Sequence, residues 1–344
     1  MPPNELIGIF VLATASFIIA FLWAPGLIRF LKTARMGKSI RLASETPVFA
    51  ALHQKKQGTP TMGGVLIWVT VVILALIAGF FPALHLNFLS RSQTWLPFGA
   101  LIASALVGLI DDYLNVRGIG AHGGGLRGRH RLLIYTFIAL IGAFWFFFKL
   151  DWDIIRIPFI STIQMGWWYI TTFVFIIAAK SFSTNEADGL DGLAGGLLLS
   201  AFAAYGAIAF AEGKFELAAF CGVIIGAITA FLWFNIHPAR FFMGDTGAMS
   251  LGVTLGIVAM LTNYALLLPI ICLPMVLESL SVIIQITSKK LRNGKKVFKS
   301  APLHHHLEAI GWEEPQIVMR FWMIAAVSAV IGVILALSDM QLFK

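Results

Sequence analysis

Hydrophobic residues in this chain gather into long runs separated by short polar segments. Runs near the roughly 20 residues that a helix needs to cross a hydrocarbon core lie at 6–28, 64–81, 95–112, 132–149, 166–182, 193–211, 216–235, 246–263, 265–287 and 317–338. They predict an all-α polytopic membrane protein with ten transmembrane helices in a single integral-membrane domain, 1–344. The eighth and ninth runs almost touch across Thr262-Asn263-Tyr264, which demands a tight hairpin. Pro269 and Pro274 predict a kinked or broken ninth helix, because proline removes a backbone donor and crowds the preceding turn. Only Met-Pro-Pro-Asn-Glu precedes the first run, with no basic residue, so that run reads as a retained span rather than a cleaved signal.

Composition agrees: 58% of the 344 residues are hydrophobic and 12% are charged, which excludes an ordinary soluble domain. Twenty of the 25 Lys and Arg residues lie in 29–56, 117–131 and 289–299 or at 180, 240 and 320. Ten spans bring all of these to one side, which is then cytoplasmic, with both termini outside. The net charge of +8 follows from this asymmetry, so no nucleic acid is needed as a partner. The same asymmetry suits anionic lipid and anionic substrates at the inner surface. Cys221 and Cys272 sit inside apolar runs, which argues against disulfides and against a cysteine metal site.

The polar breaks carry the chemistry. Between the fifth and sixth runs stands Asn185-Glu-Ala-Asp188-Gly189-Leu190-Asp191-Gly-Leu-Ala194. A helix beginning near Asp188 would set both aspartates close to one face of its first turn, where the helix dipole favours negative charge. The alternative is an N-cap with a solvated acidic turn. Asp111 and Asp112 end the third run and point about 100° apart on a helix, so they can serve different partners. The loop from Asn115 to Arg131, rich in glycine and arginine, reads either as a cover for phosphates or as a basic linker. Asp151–Gly166 shows no chemistry. Gly63-Gly64 opens the second run where backbones must approach, and Lys55 and Lys56 precede it as surface anchors.

Asp245, framed by Gly244 and Gly247, is a helix cap or a ligand. Beside it, Phe241 and Phe242 either stack a base or anchor the interface. His304-His305-His306 suggests a metal or phosphate site, although adjacent histidines cannot all face one ion. With ten spans, Asp111, Asp112, Asp188, Asp191 and Asp245 share the cytoplasmic side with most of the cations. Hard oxygen ligands among cations describe a Mg²⁺–phosphate site better than a zinc site.

Together, Gly58-Thr-Pro-Thr-Met-Gly-Gly64, Asp111-Asp112-Tyr113, Asn185…Ala194, Phe242-Met-Gly-Asp245-Thr-Gly247 and Ala301-Pro-Leu-His-His-His306 resemble the polyprenyl-phosphate N-acetylhexosamine-1-phosphate transferases. Within that superfamily the chain is most similar to the branch acting on MurNAc-pentapeptide. The resemblance runs to Arg320-Phe-Trp322 and implies a cytoplasmic-facing active-site cleft, with room for lipid at the broken ninth helix. It implies a bacterial cytoplasmic (inner) membrane enzyme that moves phospho-MurNAc-pentapeptide from UDP-MurNAc-pentapeptide to undecaprenyl phosphate. The products are lipid I and UMP, the cofactor is Mg²⁺, and a homodimer is open.

Carried over by position, Asp245 matches the Mg²⁺ ligand, Asp111 a proposed base or nucleophile and Asp112 its partner. Asn185, Asp188, Gly189, Leu190 and Asp191 match the acidic and nucleoside side of the cleft, and Phe242 matches the uracil-stacking ring. Asn235 and Gln285 match further nucleoside-side contacts. His304, counted with the catalytic residues, and His305 match groups near the phosphates, while Lys56 and Arg131 match cationic substrate contacts. The chain departs from the pattern at Asn115 and Arg131, where the family has Lys, at Glu186-Ala187 in place of Leu-Thr, and at Ala248 in place of Ser. A lipid phosphate is already ionised near neutrality, so direct attack on the UDP-sugar is preferred over a covalent Asp111 intermediate. A UDP-GlcNAc transferase of the same superfamily and a lipid flippase or transporter are the rival readings.

Overall fold

The computed structural model describes residues 3–37, 56–80, 88–89, 92–120 and 124–342. The stretch 38–55 of the basic segment, with Lys55, lies outside these residues, as does 121–123 of the glycine-rich loop. Each apolar run becomes helical. The helices are α1 (Pro3–Thr33), α2 (Gly64–Phe80), α3 (Ser92–Val116) and α4 (Gly128–Phe144), the last extended by a π-helical turn, Trp145–Lys149. They continue as α5 (Trp168–Ala187), α6 (Leu193–Ala211), α7 (Phe215–Asn235) and α8 (Gly244–Leu261).

The ninth run is broken as its prolines require. A short 3₁₀ turn, Ala265–Leu267, leads into α9 (Leu268–Ile271), and α10 (Leu273–Leu291) departs at 85°. Pro269 and Pro274 each open one of the two helices, where a missing N–H costs nothing. After α11 (Leu303–Ala309), α12 (Glu314–Leu342) closes the chain. Seven of these helices are long and apolar enough to cross a membrane, or eight if the bent pair counts as one span. The chain is a polytopic membrane protein.

At the centre lies α8, buried along its whole length except for Asp245. It packs on α3 and α5, and α2 touches both α8 and α7, which in turn packs on α1 and α6. Two backbones meet without side chains between α2 and α8: a Cβ on Gly64 would lie 2.3 Å from the Cα of Gly247. The glycines read from the sequence as a close approach do make one.

Three expectations change. The fold is not wholly helical: Ile154–Ile157 and Ser161–Gln164 pair antiparallel as β1 and β2 in the segment where the sequence shows no chemistry. Strands of four residues are too short to leave a periodic signal. The sixth helix begins at Leu193, not near Asp188, because Gly192 takes a left-handed conformation (φ 80°) that ends a turn instead of starting a helix. Asp188 and Asp191 therefore stand in a connecting turn. Lys180, counted as a surface cation, is buried in α5 with its Nζ against Thr184 Oγ1 (2.7 Å) and Met275 Sδ (2.9 Å).

Near the C-terminal end of α12, buried Asp339 fastens the hairpin. It accepts the Phe159 N–H (2.7 Å) and the Tyr264 hydroxyl (2.8 Å) and pairs with Arg156 Nε. Removing a buried acceptor shared by three donors costs roughly 3 kcal/mol or more. Asp339→Ala is therefore expected to lower the melting temperature of the detergent-solubilised protein clearly, and an unchanged melting curve would show the hairpin to be loosely held.

Candidate active site

The site gathers at the ends of helices at one end of the bundle, around the start of α8. Asp112, in the last turns of α3, accepts the backbone N–H groups of Asp245 (3.1 Å) and Thr246 (3.0 Å). A carboxylate from a neighbouring helix thus satisfies donors that the first turn of α8 leaves open. Gly108, one turn earlier, lets α3 approach: a Cβ there would stand 2.5 Å from the Asp245 carbonyl oxygen.

The Asp245 side chain faces the other way. Its Oδ1 accepts from Asn185 Nδ2 (2.7 Å) at the end of α5, and its Oδ2 pairs with Arg131 (3.0 Å) at the start of α4. Arg131 Nε pairs in turn with Asp111 Oδ2 (2.6 Å), whose Oδ1 accepts the Leu126 N–H (2.5 Å). Asp111 and Asp112 do serve different partners, as neighbours on a helix must. One guanidinium is shared by two carboxylates, with a third behind, so the ionised cluster keeps a negative balance that suits a further cation. Its oxygen donors fit a hard divalent ion.

A second group forms beside it. Lys56 Nζ lies 2.6 Å from Asp191 Oδ1 and also pairs with Glu314. His237 Nδ1 stands 3.0 Å from Asp191 Oδ2, which also accepts the Ala239 N–H. Asp191, His237 and Glu314 present ligand atoms within 4.8 Å of one another, a spacing a metal could use. The Lys56 ammonium already stands among these oxygens, so this geometry calls for no metal.

The histidine triplet spreads out. His304 Nδ1 meets Glu278 (3.0 Å), His305 Nδ1 meets Glu308 (2.7 Å), and His306 Nδ1 accepts the Lys299 N–H (3.2 Å). The His304 ring lies under the acidic turn, since a Cβ on Gly189 would fall 2.1 Å from its Nε2. Asn235 holds that turn from behind, accepting the Gly192 N–H (3.0 Å) and donating to the Phe241 carbonyl (2.8 Å). Gln285 is committed to a loop: it accepts the Val297 and Phe298 N–H groups and donates to the Phe298 carbonyl. Phe241 is buried against Phe231, whereas Phe242 is half-buried; Asp188 also keeps partial exposure, and Leu190 is buried.

Residues 94–263 match the Glycosyl transferase family 4 model, and residues 56–67 match the phospho-N-acetylmuramoyl-pentapeptide-transferase signature 1. A protein of that name from Chloroflexus aggregans is 39% identical over 339 residues, covering 95% of this chain and 89% of its own length. Relatives of the same name from Syntrophus aciditrophicus (39% over 339 residues, 93% and 90% covered) and Bacillus anthracis (39% over 329 residues, 95% and 97% covered) agree. The chain belongs to the phospho-N-acetylmuramoyl-pentapeptide-transferases.

In this family member the signature spans Lys56 to the first turn of α2. There the Phe242 N–H donates to the Pro60 carbonyl (2.8 Å), and the Gly63 and Gly64 N–H groups donate back to Phe242 and Met243. The signature thus braces the segment that carries Phe242 and Asp245. The sequence left Glu278, His237 and Glu314 unmarked. Glu278 offered a signal, being the one acidic residue inside the ninth apolar run, where a carboxylate is costly without a partner. Glu314, on a polar flank, offered none.

Because Asp112 caps α8, Asp112→Ala is expected to destabilise the transferase by about 1–2 kcal/mol, whereas Asp112→Asn, still able to accept, keeps most of that stability. Equal melting temperatures for wild type and Asp112→Ala would remove the capping role.

Proposed function

We propose that the chain transfers phospho-MurNAc-pentapeptide from UDP-MurNAc-pentapeptide to undecaprenyl phosphate, forming lipid I and releasing UMP. The observation carrying this reading is the convergence of Asp111, Asp245, Asn185 and Arg131 at one end of an apolar bundle, in a chain whose relatives bear that transferase's name. All ten runs cross a bacterial inner membrane with both termini outside, so the cluster faces the cytoplasm, where UDP-sugars are. The polyprenyl chain lies along the apolar cavity of about 290 Å³ lined by Leu273, Met323, Ile324, Val327, Ser328 and Ile331, beside the break before α10.

Asp245, with Asp111 adjacent, would hold Mg²⁺, which when bound would neutralise charge on the diphosphate. The remaining roles belong to side chains. Asp111 orients the acceptor phosphate for attack on the β-phosphorus, and the bond to the UMP oxygen breaks as the new P–O bond forms. Arg131 spreads positive charge across the same oxygens. Asp188 and the half-buried Phe242 line the uridine side with Gly189 and Leu190. His304 and His305 stand on the phosphate side, and His304, sealed under Gly189, acts through the turn above it. Asn235, Gln285 and Asp191 support this wall through the loops they tie.

UMP release by the purified protein should require Mg²⁺, undecaprenyl phosphate and UDP-MurNAc-pentapeptide together. Turnover of UDP-GlcNAc instead would transfer the protein to the rival enzyme class. Asp245→Asn should abolish turnover at low Mg²⁺ concentration, because an amide lacks the charge a hard cation needs. Undiminished activity there would remove Asp245 as ligand.

A further inference from the structure

We infer that Glu314 is a positioning residue for the nucleotide phosphates of the donor, an inference that rests on the transferase reading above. Glu314 opens α12, and its Oε1 serves two groups from distant parts of the chain. It accepts the Asp191 N–H (2.7 Å) and it pairs with Lys56 Nζ. Lys56 has three N–H donors. Asp191 Oδ1 takes one and Glu314 takes another.

Asp191 has little left to offer a ligand. Its Oδ1 is on Lys56, its Oδ2 accepts from Ala239 and meets His237 Nδ1, and its side chain is only 3% exposed. The Lys56 side chain keeps 18% exposure, and its third donor has no acceptor among the described residues. Lys56 and the more exposed His237 (41%) are therefore the groups of this cluster that can reach out, and of the two the permanently charged ammonium is the one suited to a phosphate oxygen. One carboxylate would leave the four-carbon stem free to swing, whereas two on the same ammonium fix its direction before the ligand arrives. Glu314 supplies the second and, through the Asp191 N–H, sets the height of the turn beside it. His237 packs on the other oxygen of each carboxylate, Asp191 Oδ2 and Glu314 Oε2, from the segment after α7.

The test compares UMP with uridine, which differ by the phosphate, as ligands of the full chain in detergent. Glu314→Gln keeps an oxygen to accept the Asp191 N–H but removes the charge facing the ammonium. UMP affinity should fall about tenfold, the scale of one charge-assisted hydrogen bond made poorly. Uridine affinity should not change, and Glu314→Gln should add no loss in a Lys56→Met background. Equal losses for UMP and uridine, or losses that add in full to those of Lys56→Met, would overturn the inference, since both mark a general loosening. If Glu314→Gln does not fold, Glu314→Asp, which shortens the reach, is judged by the same two criteria. Binding decides this inference without turnover. A wild type that binds UMP yet releases none from either UDP-sugar counts against the transferase reading alone.

Discussion

A charge at the end of an apolar helix must find a partner, because an unpaired carboxylate in weakly polar surroundings costs several kcal/mol. Asp111, Asp112 and Asp245 meet that demand in two ways. Asp112 uses the open backbone donors of α8, while Asp111 and Asp245 divide one guanidinium. These pairings fix the ends of α3, α4, α5 and α8 relative to one another. The same contacts that make the bundle end stable therefore give the site its shape.

That shape depends on how near the backbones come. Gly64 against Gly247 and Gly108 against the Asp245 carbonyl allow α2 and α3 to close on the start of the buried helix. The carboxylates reach their partners because nothing larger than hydrogen stands between these helices. The segment ahead of α2 then hydrogen-bonds along Phe242 and Met243, so the half-buried ring and Asp245 are presented by one braced strip of chain.

Much of this was legible in advance. Long apolar runs predict where helices lie because a lipid-facing helix needs little beyond continuous hydrophobicity, and the two prolines predict a kink or break in the ninth run, which falls at Cys272. Asp111, Asp245, Asn185 and Arg131 were singled out from four separate segments, and the structure brings them together. The pattern failed where tertiary contacts decide. Lys180 looked like any basic flank, yet α10 covers it with Met275. Asp188 looked like a helix start, but the left-handed Gly192 moves the helix five residues on. Glu314 acquires its place only through Lys56 and Asp191, which are far from it in sequence, and no local window contains that information.

The sharp turn between α9 and α10 bears on the surrounding bilayer. Two helices at 85° cannot both stand near the membrane normal, so at least one leans by more than about 40°, at or beyond the usual limit for spanning helices. Leu277, Leu280, Ile283, Ile284 and Ile286 are exposed along α10. An inclined helix with such a face occupies more area in one leaflet than in the other. Where α10 is the one that leans, lateral pressure and acyl-chain length act on its angle, and through Leu273 on the cavity it shares with Met323, Ile324 and Val327 of α12.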